Sequence, residues 1–138
     1  MEDCVFCKIV AGKIPADKVY EDECFVAFLD IKPLHIGHTL LVPKAHHRNL
    51  FDMPETLLRD VGPILQKLAT AILASTGADG INIGWNNESA AGQIVFHAHV
   101  HIMPRFTDDG HVNWGGKEGV SPTELSTTAT KIHTALVK

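Results

Sequence analysis

The segment HAHVHIMPR, residues 97–105, alternates histidine with apolar residues at a spacing of two. Successive side chains leave opposite faces of a β-strand, so this alternation predicts a strand with three imidazoles on one face. The opposite face carries Ala98, Val100 and Ile102 and is expected to pack against a hydrophobic core. We therefore expect a strand over residues 95–104 whose histidine face opens toward a cleft.

Three interpretations of His97, His99 and His101 follow from the residue type. Neutral imidazole is a common metal ligand, and it also acts as a nucleophile or general acid–base in phosphoryl and acyl chemistry. The third interpretation is a solvated strand face without chemistry. Adjacent rings on one face are expected about 7 Å apart, close enough to act on one small anion. The preceding segment NNESAAGQ, rich in amides and small residues, favours an anion site.

Length and charge limit the class of protein. A length of 138 residues predicts a single domain over residues 1–138. With 12 basic and 16 acidic side chains the net charge is −4, so the chain lacks the basic footprint of a protein that binds nucleic-acid polymers. The opening MEDCVFCK lacks the layout of a signal peptide, and no apolar run approaches the ~20 residues that span a bilayer. We expect a cytoplasmic protein that does not bind membranes. Three cysteines argue against a disulfide framework.

The apolar pattern predicts four further strands and two helices. KVYEDE and CFVAFLDI form a hairpin with its turn at residues 21–23, HTLLVPK is a strand ending at Pro43, and DGINIGWN is another strand. Asp52 and Glu55 fit a capping box at the start of a long helix that Gly77 ends. Its apolar positions recur at helical spacing: Leu57, Leu58, Val61, Leu65, Leu68 and Ile72. Gly62 and Pro63 within this pattern predict a kink in one continuous helix.

A second helix is predicted at the C-terminal end. Ser121, Pro122 and Glu124 form a start signal, and the helix over about residues 122–137 is expected to bury Leu125, Ile132 and Leu136. The order β-β-β-α-β-β-α predicts an α+β fold with a largely antiparallel sheet, one long kinked helix and a C-terminal helix.

The same segments carry a family resemblance. HAHVHIM matches the His-x-His-x-His-x-x motif, with apolar x, of the histidine triad (HIT) family of nucleotide hydrolases and transferases. GHTLLVPKAHH, NNESAAGQIVFHAHVHIMPR and the opening CVFCKIVAGKIPADKVYEDECFVAFLDI resemble stretches of its Hint-like bacterial branch. The resemblance covers about residues 3–106 and implies a HIT-like fold, followed by a C-terminal extension.

The resemblance implies roles for individual residues. His99 corresponds to the nucleophile that attacks the α-phosphorus of a nucleotide, and His101 to a residue that stabilises the developing charge. Asn86, Gly92 and Gln93 match phosphate-contacting positions, and Asp30 matches a carboxylate that binds the ribose hydroxyls. His38 matches a position near the α-phosphate, although a histidine packed under the strand is an equal alternative. The implied base slot consists of Phe6, Ile9, Phe28, Ile31 and Leu40, each of which could instead be ordinary core.

One position departs from the family pattern. Ile94 follows Gln93 where Hint-like proteins usually have a serine that contacts the leaving group. An isoleucine side chain cannot donate a proton, so another group must assist the leaving group, or the preferred substrate needs less assistance.

The Cys4–Cys7 pair has two interpretations. Cys-x-x-Cys occurs in redox motifs, but two thiolates at this spacing also provide half of a tetrahedral zinc site. The resemblance implies a structural zinc site completed by His46 and His97, with His47 as a rival to His46. Cys24 is expected to pack within an apolar strand, whereas His35, His111 and His133 are expected at the surface.

These features predict an enzyme that cleaves purine nucleoside 5′-phosphoramidates, or related nucleotide conjugates, at the α-phosphate through a covalent nucleotidyl-histidine. Alternatives are a dinucleoside polyphosphate hydrolase and a nucleotide-binding regulatory protein with incidental turnover. The resemblance also implies a homodimer, for which DGINIGWN and the helix over residues 55–75 offer an apolar surface.

Overall fold

A computed structural model describes residues 3–110 and 120–137, so His111 lies outside the described residues. Three helices and five strands occur there, with short 3₁₀ turns at Leu50–Asp52 and Ser89–Ala91. In chain order these elements are α1 Val5–Val10, β1 Lys18–Glu21, β2 Phe25–Leu29, β3 Thr39–Pro43, α2 Glu55–Thr76, β4 Gly80–Gly84, β5 Val100–Arg105 and α3 Pro122–Leu136.

The five strands form one antiparallel sheet in the order β1-β2-β3-β5-β4. This architecture confirms the predicted α+β class. Strand β5 lies between β3 and β4, and His101 is paired with Leu40 on one side and Gly84 on the other. The histidine segment therefore enters the interior of the sheet and not its edge.

Alternation along the central strands separates two hydrophobic clusters on opposite faces of the sheet. The main core takes Ala98, Val100 and Ile102 together with apolar residues of α2 and α3. This burial confirms the predicted apolar face of the histidine segment. The second cluster packs α1 on the other face and consists of Phe6, Ile9, Val26, Phe28, Leu40 and Val42. The histidines share this second face, where Phe6 contacts both His97 and His99.

Three predicted helix signals are confirmed. Helix α2 continues without a break through Pro63, and Gly77 ends it in the left-handed conformation at φ 70°. Ser121 caps α3, because its side chain accepts a hydrogen bond from the Glu124 backbone N–H. Leu125 and Ile132 of α3 are buried in the main core. No helix within residues 3–110 and 120–137 combines the length and the apolar character that crossing a membrane requires.

Three local predictions are wrong. The α2 N-cap is Pro54, which has no side-chain capping bond, and Asp52 instead completes a capping box with Asn49 on the preceding 3₁₀ turn. Strand β5 begins at Val100, so His97 and His99 precede it.

Cys24 is exposed and lies before β2, so it does not pack within a strand. Helix α1 was not predicted, although the Cys4 side chain accepts the Cys7 backbone N–H as its N-cap. A helix of only 6 residues carries too little apolar periodicity to be identified.

Candidate active site

The ring of His99 is held in one tautomer by its own backbone. Its Nδ1 lies 2.7 Å from the carbonyl oxygen of His97. A carbonyl only accepts, so Nδ1 carries the proton and Nε2 carries the lone pair. Phe6 packs edge-on against the His99 ring, with centroids 5.1 Å apart. Burial lowers the pKa of His99, so the ring is kept in the neutral form that a nucleophile requires.

The ring of His97 has the opposite tautomer. Its Nε2 lies 2.7 Å from the carbonyl oxygen of Pro43, at the end of β3, and therefore donates. The Nδ1 lone pair then faces Cys4 and Cys7, whose Sγ atoms lie 3.2 and 3.5 Å away. His46 completes the group, with its Nδ1 3.1 Å from that of His97. We call Cys4, Cys7, His46 and His97 the Cys/His cluster.

The Cys/His cluster has the composition and spacing of a metal site. Its four ligand atoms all lie within 4.8 Å of one another. Tetrahedral zinc, with bonds of about 2.0–2.3 Å, places its ligand atoms roughly 3.3–3.8 Å apart, close to the spacing observed. The Nδ1 atoms of two imidazoles and two thiol sulfurs converge on one point. A cation bound there would offset the repulsion between their lone pairs. The cluster can hold a metal, and its members include His46 and not His47.

A second pair of rings lies on the other side of His99. The Nδ1 of His38 accepts the Leu34 backbone N–H at 3.0 Å, which places the proton of neutral His38 on Nε2. This Nε2 donates to Nδ1 of His101 at 2.9 Å, so neutral His101 carries its proton on Nε2. The centroids of the His99 and His101 rings are 5.1 Å apart, closer than the predicted strand spacing, which does not apply to His99 because it precedes β5.

Burial keeps this pair neutral. Desolvation and, to a smaller extent, the neighbouring imidazoles lower the pKa of both His38 and His101 to about 4. His38 is buried and contacts His101, and its predicted position near the α-phosphate stays a prediction. The site therefore presents neutral N–H donors and acceptors at neutral pH.

Asp30 lies beside this pair at the end of β2. Its Oδ1 accepts the Lys32 backbone N–H at 2.9 Å, and its Oδ2 is 3.7 Å from Nε2 of His38. Burial raises the pKa of this carboxyl. Asp30, His38 and His101 are close enough to hold a cation. The His38 tautomer opposes this, because its Nε2 carries a proton instead of a lone pair.

The loop between β4 and β5, residues 86–94, includes the predicted phosphate-contacting positions and is called the anion loop. Gly92 has φ 93°, a conformation that favours glycine, and a Cβ there would lie 3.5 Å from the Asn86 amide nitrogen. Gly92 and Asn86 therefore lie together. Ile94 ends the loop with 86% of its surface exposed. The predicted contacts of Asn86 and Gly92 with phosphate stay predictions.

The Gln93 side chain is turned into the protein. Its Nε2 donates to the carbonyls of Arg48 and Val95 at 2.7 and 3.0 Å. Its Oε1 accepts the Glu88 backbone N–H and the Asn49 side-chain amide. Both side-chain amide hydrogens are used within the protein, and the Gln93 backbone N–H donates to the Glu88 carbonyl at 3.2 Å. The predicted contact of Gln93 with phosphate stays a prediction.

Sequence reasoning missed Arg48, Asn49 and Glu88. The guanidinium of Arg48 binds both carboxylate oxygens of Glu88, with contacts of 2.8 and 3.0 Å. Asn49 is buried and donates to the same carboxylate at 2.6 Å. No pattern of neighbouring residues predicts these contacts, because the partners are 39 or 40 residues apart in the chain.

The predicted base-slot residues divide into two groups. Phe6, Ile9, Phe28 and Leu40 are buried in the second cluster, where Phe6 contacts the rings of His97 and His99. Ile31, next to Asp30, is 72% exposed. Contact of these residues with a base stays a prediction.

Of the histidines predicted at the surface, His133 is exposed as predicted, whereas His35 is partly buried. His35 binds the Asp109 carboxylate at 2.9 Å, and His133 is exposed on α3. The candidate site therefore consists of His99, His101 and His38 beside Asp30.

The sequence was compared with protein-family models and with characterised proteins. The model of the HIT domain family matches residues 11–108. The chain is 38% identical over 117 residues to an adenosine 5′-monophosphoramidase from Saccharomyces cerevisiae, covering 83% of this chain and 72% of that protein. It is 43% identical over 103 residues to an adenylylsulfatase from Arabidopsis thaliana, covering 75% of this chain and 52% of that protein.

The fold is also similar to solved structures. A zinc-bound histidine triad family protein from Mycobacterium smegmatis superposes with a TM-score of 0.87 at 37% identity, covering 99% of this chain and 94% of that chain.

Proposed function

This chain belongs to the HIT family, and on that premise we propose that it hydrolyses purine nucleoside 5′-phosphoramidates or related nucleotide conjugates at the α-phosphate. The observation that carries the proposal is the tautomer of His99, whose Nε2 lone pair is left available by the Nδ1 contact with the His97 carbonyl. The named activities of the yeast and Arabidopsis relatives support a nucleotide substrate.

The proposed reaction has two steps at phosphorus. Nε2 of His99 attacks the α-phosphorus, and the bond to the leaving group breaks with its electron pair. The positive charge of the nucleotidylated ring lies against the carbonyl oxygen of His97, which stabilises it. Water then attacks phosphorus, the phosphorus–nitrogen bond breaks, a proton is released to solvent, and the nucleoside monophosphate leaves.

Other residues are assigned to charge and binding. Nε2–H of His101, set by the contact from His38, is positioned to donate to a phosphate oxygen as negative charge develops. Asp30 is proposed to accept the ribose hydroxyls, and backbone amides of the anion loop to donate to the phosphate. Ile94 supplies no proton, so a substrate whose leaving group departs unprotonated is expected to react faster than one with a basic amine.

We also propose that the Cys/His cluster binds a structural zinc ion. Four protein ligands leave no open position, so the ion would tie α1 to the segment after β3 and would not act as a Lewis acid on substrate. The zinc-bound Mycobacterium smegmatis structure supports this proposal. Two reduced thiols suit a reducing compartment such as the cytoplasm.

A homodimer is proposed for the assembly. Strand β4 is the last strand of the sheet and pairs only with β5 among the described strands. Ile83 on β4 and Leu73 on α2 are 46% and 40% exposed, which favours a partner on this side. Light scattering should give about twice the chain mass of 15.0 kDa, and a single-chain mass at micromolar concentration would overturn the dimer.

Steady-state hydrolysis tests the function directly. The purified protein is offered adenosine phosphoramidate, adenylyl sulfate and diadenosine tetraphosphate in parallel, and AMP release is measured. Preference for the first two supports the proposal, whereas preference for diadenosine tetraphosphate favours a dinucleoside polyphosphate hydrolase. AMP binding without turnover of any of the three favours a nucleotide-binding regulatory protein.

A further inference from the structure

We propose that Arg48 and Glu88 are positioning residues that hold the anion loop in the shape that receives the phosphate. Together with Asn49 and Gln93 they form a hydrogen-bonded group that we call the clasp. The inference rests on the proposed function, because it concerns the loop that is assigned there to the phosphate.

The backbone of Glu88 is the first observation. At φ 77° and ψ 159°, it is the only non-glycine residue with positive φ among the described residues. This region of backbone conformation is almost exclusive to glycine, and other residues adopt it only where their surroundings enforce it. The backbone N–H of Glu88 donates to Gln93 Oε1 at 2.8 Å, and its carbonyl accepts the N–H groups of Ala91 and Gln93. The clasp thus enforces the strained turn.

The charge of Glu88 is the second observation. Glu88 is the only carboxylate within the anion loop, NNESAAGQI, where a negative charge opposes binding of an anion. Arg48 binds both oxygens of this carboxylate and Asn49 binds one of them, so the charge is neutralised. Arg48 and Asn49 lower the pKa of Glu88, in agreement with these contacts.

The position of Arg48 is the third observation. Its guanidinium lies 4.3 Å from the centroid of the Phe96 ring, and its carbonyl accepts the Gln93 amide. Glu88 and Phe96 lie on opposite sides of Gly92 in the chain, so one arginine connects both arms of the loop. The Arg48 side chain is about half exposed, and exposed ion pairs contribute little to global stability. We therefore expect these contacts to affect the conformation of the anion loop more than the stability of the fold.

The experiment compares phosphate-dependent with phosphate-independent binding. Arg48→Ala, Arg48→Lys, Glu88→Gln and Glu88→Gly are purified as the full chain, and affinity for AMP and for adenosine, KM, kcat, metal content and thermal midpoint are measured. Arg59→Ala is the matched control, because Arg59 forms an exposed ion pair with Glu55 on α2, away from the loop.

Arg48→Ala is expected to weaken AMP binding and raise KM about tenfold, the effect of losing one charge-assisted contact, with adenosine affinity and kcat within about twofold of wild type. Arg48→Lys should recover part of the loss, because it keeps the charge but not the two-point contact. Glu88→Gln should weaken AMP binding less than Glu88→Gly, since its side chain keeps one acceptor.

Glu88→Gly separates positioning from folding. Glycine accepts φ 77° without strain, so the thermal midpoint should stay the same or rise while AMP affinity falls. Unchanged AMP affinity in both Arg48→Ala and Glu88→Gly would overturn the inference, as would an equal loss for adenosine and AMP. A wild-type protein that neither binds AMP nor releases it from any substrate would instead overturn the proposed function.

Discussion

His97 and His99 lie two residues apart on the same face of the sheet, yet their rings carry opposite tautomers. The Pro43 carbonyl takes the Nε2 proton of His97 and directs Nδ1 to the Cys/His cluster. The His97 carbonyl takes the Nδ1 proton of His99 and leaves Nε2 as the basic nitrogen. Two identical side chains are therefore prepared for different chemistry, each by one accepting carbonyl oxygen. His97 is suited to bind a metal, and His99 is suited to attack phosphorus.

The largest effect is expected at the nucleophile. His99→Ala should lower kcat by several orders of magnitude, because no other ring offers a lone pair at that point, while AMP binding is largely kept. Wild-type protein quenched during turnover should yield an acid-labile nucleotidyl adduct on the peptide containing His99. His133→Ala, an exposed histidine on α3, is the control and should behave as wild type. Near-native kcat in His99→Ala, or an adduct on His38 or His101, would contradict the assignment.

A smaller effect is expected at the charge-stabilising ring. His101→Ala should reduce kcat on the order of 10²-fold, the scale of losing one donor to a developing negative charge. The adduct on His99 should still form, more slowly, in single-turnover experiments. A loss as large as that of His99→Ala would instead assign the nucleophile, or a step of equal weight, to His101.

The Cys/His cluster should respond in stability more than in turnover. Purified wild type is expected to carry about one zinc per chain, and the double variant Cys4→Ser, Cys7→Ser to carry none. Loss of this cross-link should cost at least about 2 kcal/mol, roughly 6–8 °C in thermal midpoint for a domain of this size.

Activity measured at a temperature where the double variant is folded should persist. Cys24→Ser, at an exposed position, is the matched control. Metal retained by the double variant would move the site elsewhere, and complete inactivity of a folded, zinc-free variant would make the metal catalytic.

The smallest effect is expected from pH near neutrality. Burial lowers the pKa of His38 and His101 to about 4, so both stay neutral and kcat/KM should be flat between about pH 6 and 8 and fall below about pH 5. In the unfolded chain these imidazoles titrate near the ordinary value of 6.5, so the unfolded state binds more protons between 4 and 6.5. Stability should therefore decrease as pH falls through this window.

Kinetics and urea unfolding at each pH, with metal content measured in parallel, test both statements. A rise of kcat/KM on acidification would show that a protonated ring takes part.

Local signals allowed much of the framework to be predicted. The alternation at residues 97–105 places Ala98, Val100 and Ile102 in the main core, and Gly77 and Ser121 mark helix ends, because each depends on contacts between near neighbours in the chain. The resemblance placed Cys4, Cys7, His46 and His97 together, and the structure brings them within 4.8 Å.

The tautomer of His97 and the clasp were decided only by the tertiary structure. Gln93 fits a phosphate contact in the sequence, yet its amide is used by Arg48 and Asn49, which pack beside it from 44 or 45 residues away. Likewise, the proton of His97 is placed by the Pro43 carbonyl, 54 residues away. Residue type determines which groups a side chain can donate or accept. Which of them stay available to a ligand depends on the partners that folding brings within hydrogen-bond distance, since each buried polar group must be satisfied.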